Sequence, residues 1–226
     1  PGPGHRPPGR CLRDGGGPGR GVAGGSLVGR GRSAVGGTPG MATHVALLRG
    51  VNVGGRKLAM ADLRAIVEAA GHADVQTYIQ SGNVVFTPAG GRTASEGELA
   101  TAIEAGIEER LGMRVGVVVL SREELAQALE ADPYQAEEEP RYVHFIFFAQ
   151  PPDAAARKRV ATAQAAVAAK GSRDEATAIG RVLYLHTPDG FGRSELAAAL
   201  TKAAKQTPVG TARNRSTVTK LLDLLT

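Results

Sequence analysis

One glycine-rich loop combines backbone flexibility with positive charge. Residues 50–57 read GVNVGGRK and directly follow Arg49. Glycines leave backbone N–H groups accessible to an anion, and the neighbouring basic side chains add positive charge. The pattern therefore predicts an anion site, or alternatively a wide turn whose glycines adopt positive φ. The candidate ligand-binding residues of this segment are Arg49, Asn52, Gly54, Gly55 and Lys57.

The same loop approaches a P-loop in its glycine spacing but lacks two of the residues that a P-loop needs. Gly50 and Gly55 have the separation found in a Walker A motif. Arg56 stands where lysine is required, and Leu58 stands where serine or threonine would bind magnesium. The sequence therefore excludes a P-loop NTPase.

Three further polar segments are candidates for ligand contacts. Residues 80–83 read QSGN, which could face a ligand or could simply form a turn bonded to its own backbone. Residues 192–194 (GRS) and 211–214 (TARN) each precede a predicted helix, where an arginine and a capping side chain suit an anion. Each also fits ordinary helix capping beside a solvated arginine. The candidate residues here are Ser81, Asn83, Arg193, Ser194, Arg213 and Asn214.

The sequence identifies no catalytic residue, and we expect no cofactor. Its single cysteine is Cys11, so an internal disulfide and a multi-cysteine zinc site are excluded. The histidines outside the first 40 residues have no metal-ligand spacing, which makes a metal site unexpected. Ser81 or Ser194 as a nucleophile would need a positioned base, and spacing alone identifies none.

The positive charge is confined to the first 40 residues. The chain of 226 residues has a net charge of +5, and residues 1–40 contain six arginines and one aspartate. The remaining residues are neutral overall, which gives no electrostatic argument for nucleic acid. Residues 1–40 are rich in glycine and proline and lack apolar periodicity, so we expect a disordered leader, with natural translation starting at Met41. The alternative is an Arg/Gly-rich RNA-binding tail.

The order of predicted elements repeats along the rest of the chain. Residues 43–136 read as β-α-β-β-α-β-α, and residues 142–225 read the same way. The unit β-α-β-β-α-β is the ferredoxin-like pattern, an α/β plait. We therefore predict two tandem ferredoxin-like domains, each followed by an extra helix, over residues 41–137 and 138–226. No run of about 18 apolar residues is present, so we expect no membrane-spanning helix.

Four motifs resemble those of one bacterial family, the DUF1697 proteins. They are RGVNVGG at 49–55, TYIQSGNVVF at 77–86, DGFGRS at 189–194 and GTARNRSTVTKL at 210–221. The resemblance implies two ferredoxin-like domains and supplies no reaction. Arg215 stands where the family usually has tryptophan, and Ala212 stands where threonine is usual. An arginine there could stack on a ring but could not fill a dry pocket.

These observations lead to one functional hypothesis and two alternatives. We expect a cytoplasmic protein that binds a small anionic, phosphate-bearing ligand between its two domains. The alternatives are an RNA-binding or other nucleic-acid-binding module, because ferredoxin-like sheets also serve as RNA platforms, and a protein–protein module such as a homodimer paired through edge strands. The fold alone does not decide between them.

Overall fold

The computed structural model describes residue 2 and residues 41–55, 57–90, 94–203 and 210–225. The predicted leader and Arg56 lie outside these residues. Both sheets belong to one compact unit, residues 37–226. The predicted boundary at residue 137 stays a prediction.

The first half forms an antiparallel four-stranded sheet with the order β2-β3-β1-β4. This is the strand order of a ferredoxin-like plait, as predicted. Its elements are β1 (His44–Leu48), α1 (Met60–Ala69), β2 (Ala73–Tyr78), β3 (Asn83–Thr87), α2 (Glu96–Leu111), β4 (Val117–Ser121) and the extra helix α3 (Arg122–Glu130).

The second half repeats this topology with the order β6-β7-β5-β8. A 3-10 turn at Pro140–Tyr142 leads into it, and another at Phe191–Arg193 precedes α5. Its elements are β5 (Val143–Phe148), α4 (Ala154–Ala168), β6 (Glu175–Ile179), β7 (Val182–His186), α5 (Glu195–Ala203), β8 (Gly210–Asn214) and the extra helix α6 (Arg215–Asp223). The two tandem ferredoxin-like units expected from the sequence are therefore present.

Local sequence signals explain where several helices begin. Both predicted capping boxes are formed, with Ser95 and Glu98 starting α2 and Ser121 and Glu124 starting α3. In each box the serine oxygen accepts the N–H of the glutamate three residues later, and the glutamate accepts the serine N–H. These bonds satisfy backbone donors that the first helical turn leaves unpaired.

The two sheets share one core, to which the extra helices α3 and α6 also contribute. Val45 and Leu47 of β1 contribute to it from the first sheet, and Phe145 and Phe147 of β5 contribute from the second. The opposite face of the first sheet packs on α1 and α2, and that of the second packs on α4 and α5. Central strands buried on both faces need apolar residues in succession, which explains the continuous apolar runs of β1 and β7.

Polar contacts also cross the shared core. The hydroxyl of Tyr184 donates to the carbonyl of Ala128 at 2.8 Å. Arg181 of the second half pairs with Glu124 of the first at 2.5 Å. These bonds connect β7 and its turn to α3, so the two halves are joined by directional contacts as well as by apolar burial.

The last strand and the first turn show how backbone pairing sets the element bounds. Residues 211–214 precede the last helix and form most of edge strand β8, because their backbone pairs with β5. Ile79 lies in the turn after β2, with a φ of 49° and an exposed side chain. Among the described residues, no helix has the length and apolar character needed to cross a membrane.

Candidate functional site

A cavity of about 360 Å³ lies where the end of the first sheet meets the helix-covered face of the second. The first half supplies Ser81 and residues from the segment that follows β1. The second half supplies most of the wall, from β5, β6, β7, β8, α4 and α5. The apolar wall residues are Leu48, Val51, Val53, Ile146, Phe148, Pro152, Val160, Leu183, Leu185, Phe191 and Leu200.

Small residues leave this space unfilled. Ala156 of α4, Ala178 of β6, Ala197 of α5 and Ala212 of β8 all line the cavity with methyl groups. Such short side chains cannot reach across the gap between a sheet and the helices packed on it. Position 210, next to the cavity, requires glycine, because an added Cβ would lie 2.7 Å from the ring of Phe148.

The glycine-rich loop reaches the cavity and is held by Asn52. The Asn52 amide donates to the carbonyls of Leu58 and Gln80 at 2.9 and 2.7 Å, and its oxygen accepts the Leu58 N–H. Asn52 therefore closes the loop and ties it to the turn between β2 and β3. The N–H groups of Gly50 and Val51 have no acceptor among the described residues. They are candidate donors to a ligand.

Ser81, Asn83 and Arg213 form one hydrogen-bonded network at the end of the cavity. Asn83 is fully buried, and its amide donates to Ser81 Oγ and to the carbonyl of Tyr78. Arg213 Nε donates to Asn83 Oδ1. The Leu48 N–H also donates to the Gly82 carbonyl at 2.8 Å, so the end of β1 and the β2–β3 turn do share one edge.

Arg213 uses its whole guanidinium group on the protein. Besides Asn83, it donates to Thr211 Oγ1 and to the carbonyls of Leu48, Ser81, Gly82 and Ala212 at 2.7–3.1 Å. These bonds join β8 of the second half to the first half. An arginine has five N–H donors, so this set accounts for all of them.

The charge of Arg213 has no carboxylate partner among the described residues. Arg213 is only 7% exposed, and it lines the cavity. Burial lowers the pKa of Arg213 to about 10, so the group stays protonated at neutral pH. A buried charge without a counter-charge is costly, and an anion in the adjacent cavity would reduce that cost.

Three other arginines line the cavity and raise its positive potential. Arg49 follows β1, and Arg157 and Arg159 lie on the exposed side of α4. Arg157 Nε donates to the Pro152 carbonyl at 2.9 Å. Among the described residues, no carboxylate belongs to the cavity wall. The arrangement can attract an anion to an otherwise apolar space.

The structure brings some predicted residues together and separates others. Arg49, Ser81 and Arg213 line the cavity, and Asn83 accepts a hydrogen bond from Arg213. Gly55 and Lys57 line a separate open depression beside Asn52, and Gly54 is exposed nearby. The glycine loop therefore divides between two surfaces.

The remaining predicted residues lie at helix starts outside the cavity. Ser194 Oγ accepts the Ala197 N–H at the start of α5 and donates to the buried carboxylate of Asp174. Asn214 accepts the Thr217 N–H and caps α6. Arg193 is exposed in the 3-10 turn. Helix capping accounts for both Ser194 and Asn214.

Arg215 is held by an ion pair and by hydrogen bonds to carbonyl groups. Its guanidinium pairs with the buried carboxylate of Asp132 at 2.6 Å and donates to the carbonyls of Tyr134 and Glu137. These contacts tie the start of α6 to the segment that follows α3. Arg215 therefore occupies this position through the hydrogen bonds of its planar guanidinium group.

Sequence reasoning missed most of the cavity wall. Arg157, Arg159, Phe148 and Thr211 were not among the predicted ligand contacts. The available signal was the alanine-rich composition of α4, since short side chains leave space between a helix and the sheet it packs on. Among the described residues, no group of three potential metal ligands is present.

Two ferredoxin-like sheets that share one core define the class of fold. Residues 41–184 match the family described as proteins of unknown function (DUF1697), and the chain belongs to that family. The match confirms the resemblance stated from the sequence. A search of curated proteins found no match. The conserved bacterial protein SP0830 from Streptococcus pneumoniae has a similar fold, with a TM-score of 0.59, 22% identity, and coverage of 83% of this chain and 100% of that one.

Proposed function

We propose that this protein binds a small anionic ligand in the cavity between its two halves. The main observation in support of this proposal is Arg213, a buried cation at the cavity wall with no carboxylate partner among the described residues. Its donors are fully used, so it acts on a ligand through its charge. Arg49 adds a second positive charge, and the N–H groups of Gly50 and Val51 are available to donate to an anionic oxygen.

The concave geometry favours a small molecule over the two alternative partners. Nucleic-acid binding would use an open basic surface, and homodimer formation would use the edge strands β2 and β6. The arginines discussed above instead surround a concave space of the size typical for small ligands. A bacterial cytoplasmic setting is part of the same proposal.

Thermal unfolding of the full chain with a panel of small anions tests the proposal. The chain has no tryptophan, so unfolding is followed by circular dichroism or calorimetry. A ligand at about 100 times its Kd adds about 2.7 kcal/mol to the free energy of unfolding, which raises Tm by about 5–10 °C at this size. Acetate, octanoate, phosphate and a sugar phosphate are compared with a neutral alcohol.

A variant pair locates the effect. Arg49→Met removes one cavity charge, and Arg110→Met removes an exposed arginine on α2, away from the cavity. We expect the anion-induced Tm shift to fall in Arg49→Met and to persist in Arg110→Met. Equal shifts in both variants, or no shift from any anion, would contradict the proposal.

A further inference from the structure

We infer that the ligand is an amphipathic organic acid of about ten to fourteen non-hydrogen atoms, which comprise one carboxylate and an apolar body. This inference rests on the proposed function and names the substrate class of the same site. It differs from the phosphate-bearing ligand expected from the sequence. Three features of the cavity support it: the character of its wall, its volume and the few donors available for the acidic group.

Most of the cavity wall offers nothing for a polar body to bond. Ile146 and Phe148 of β5, Leu183 and Leu185 of β7 and Leu200 of α5 form one continuous apolar surface. A sugar or a nucleoside bound there would lose hydrogen bonds to water without replacing them, at a cost for each buried hydroxyl. A hydrocarbon body gains free energy on the same surface.

The volume sets the size of that body. An apolar protein cavity of about 150 Å³ holds one benzene molecule, which has six non-hydrogen atoms. By that measure, the 360 Å³ here accommodates roughly fourteen such atoms. Exposed Val53 and Phe191 lie at the rim, where they can extend the apolar contact.

The charged end of the cavity suits a carboxylate better than a phosphate. The Arg213 donors are all occupied by protein oxygens, so the group supplies charge without hydrogen bonds. The N–H groups of Gly50 and Val51 have no acceptor among the described residues, and Ser81 lines the same cavity. Arg157 and Arg159 lie on the exposed side of α4, so the donors inside the cavity are few and suit the two oxygens of a carboxylate. A phosphate group has about −1.5 to −2 charge and three strong acceptor oxygens, which need more donors when removed from water.

The test compares octanoate, 1-octanol, acetate and inorganic phosphate on the full chain, by calorimetric titration and by Tm. Octanoate has ten non-hydrogen atoms and fits the expected size. Because each buried methylene contributes about 0.8 kcal/mol, octanoate should bind at least tenfold more tightly than acetate. It should also bind at least tenfold more tightly than 1-octanol and phosphate. 3-Phenylpropanoate serves as a second acid and distinguishes a flexible chain from a ring.

A matched pair of variants places the ligand in this cavity. Ala178→Phe projects a ring into the space, whereas Ile179→Phe changes the neighbouring exposed residue of the same strand. Octanoate affinity should fall at least tenfold in Ala178→Phe and should stay within about twofold in Ile179→Phe. Equal affinities in the two folded variants would overturn the assignment.

The four probes on the unaltered chain decide the inference even if Ala178→Phe does not fold. Phosphate binding as tight as octanoate, or acetate binding as tight as octanoate, would overturn the amphipathic ligand and leave the proposed anion site standing. Binding of 1-octanol equal to that of octanoate would overturn both, because no anion would then be needed. Binding of none of the probes would also overturn both.

Discussion

The two halves share one topology but fill it differently. In the first half, α1 and α2 place Leu63, Ile66, Leu99 and Ile103 against the sheet, and a large buried cluster results. In the second half, the equivalent core contains four buried residues among those described, including Leu196 and Ala197, and helix α4 is mostly alanine.

This difference shows that strand order and side-chain volume are separate properties of the plait. Backbone pairing and helix placement repeat between the halves, while the size of the residues between sheet and helices does not. Protein interiors are normally close-packed, so a local deficit in side-chain volume leaves a cavity. The first half thus acts as a packed support, and the second half contains the space for a ligand.

The largest expected effect is a loss in the free energy of unfolding when a contact that joins the halves is broken. Arg215→Met leaves the Asp132 carboxylate, which is 1% exposed, without its cation. Removing one partner of a buried pair costs about 3–5 kcal/mol, because an unpaired charge stays buried. Urea unfolding measures the loss. Adding Asp132→Asn should recover part of it, and no recovery would mean that the carbonyl bonds of Arg215 matter more than the ion pair.

Truncation of one leucine in each half tests the packing difference. Leu99→Ala removes a buried side chain of α2 and should cost about 2–5 kcal/mol. Leu200→Ala removes a half-buried side chain at the cavity wall and should cost less, since fewer contacts are lost. The two free energies of unfolding are compared by urea denaturation. Equal losses would show that both halves are packed alike.

Enlarging an alanine should have opposite effects in the two halves. Ala46→Leu on β1 adds volume to a filled core and should cost about 1–3 kcal/mol. Ala156→Leu on α4 adds apolar contact inside the cavity and should raise the free energy of unfolding by about 1 kcal/mol. Calorimetric Tm values give the sign of each change. Destabilisation in both variants would mean that the cavity is not open to a side chain.

The smallest effect concerns acid stability and compares two histidines that pack on aromatic rings. Burial lowers the pKa of His144, which lies 4.3 Å from the Phe191 ring, to about 4. The unfolded chain, with a pKa of 6.5, then takes up the proton first, so stability falls from about pH 6.5 to pH 4 and levels off below. At pH 5 this proton uptake lowers the free energy of unfolding by about 1–2 kcal/mol relative to pH 7.

His144→Phe should therefore reduce the loss of Tm between pH 7 and pH 5. His72→Phe is the matched variant of the first half, where burial and then His44 lower the pKa of His72. His72 keeps a hydrogen bond from the Ala89 N–H, whereas His144 Nδ1 has no partner in the part of the chain that the structure describes, so the His144 variant should show the larger change. The same pH profile for His144→Phe and the unaltered chain would contradict the assignment.

The fold was predictable because its signals are local and repeated. Apolar runs marked the central strands, capping boxes marked the starts of α2 and α3, and the element order identified two plaits. The candidate site was predictable only in part. Arg49, Ser81 and Arg213 were named, but the capping bonds of Ser194 and Asn214 are made within their own helices. A cap and an anion contact use the same residue types, so their sequence patterns are alike.

The amino-acid sequence by itself determined the class of fold, the repeat and the family, because periodicity and turn residues act over a few neighbours. Only the tertiary structure decided which basic residue became a buried cation and where space was left. Arg213 and Asn83 are 130 positions apart in the chain and meet because the two halves pack together. The cavity likewise exists because alanines from four separate elements line one space, a coincidence of volume that no local pattern encodes.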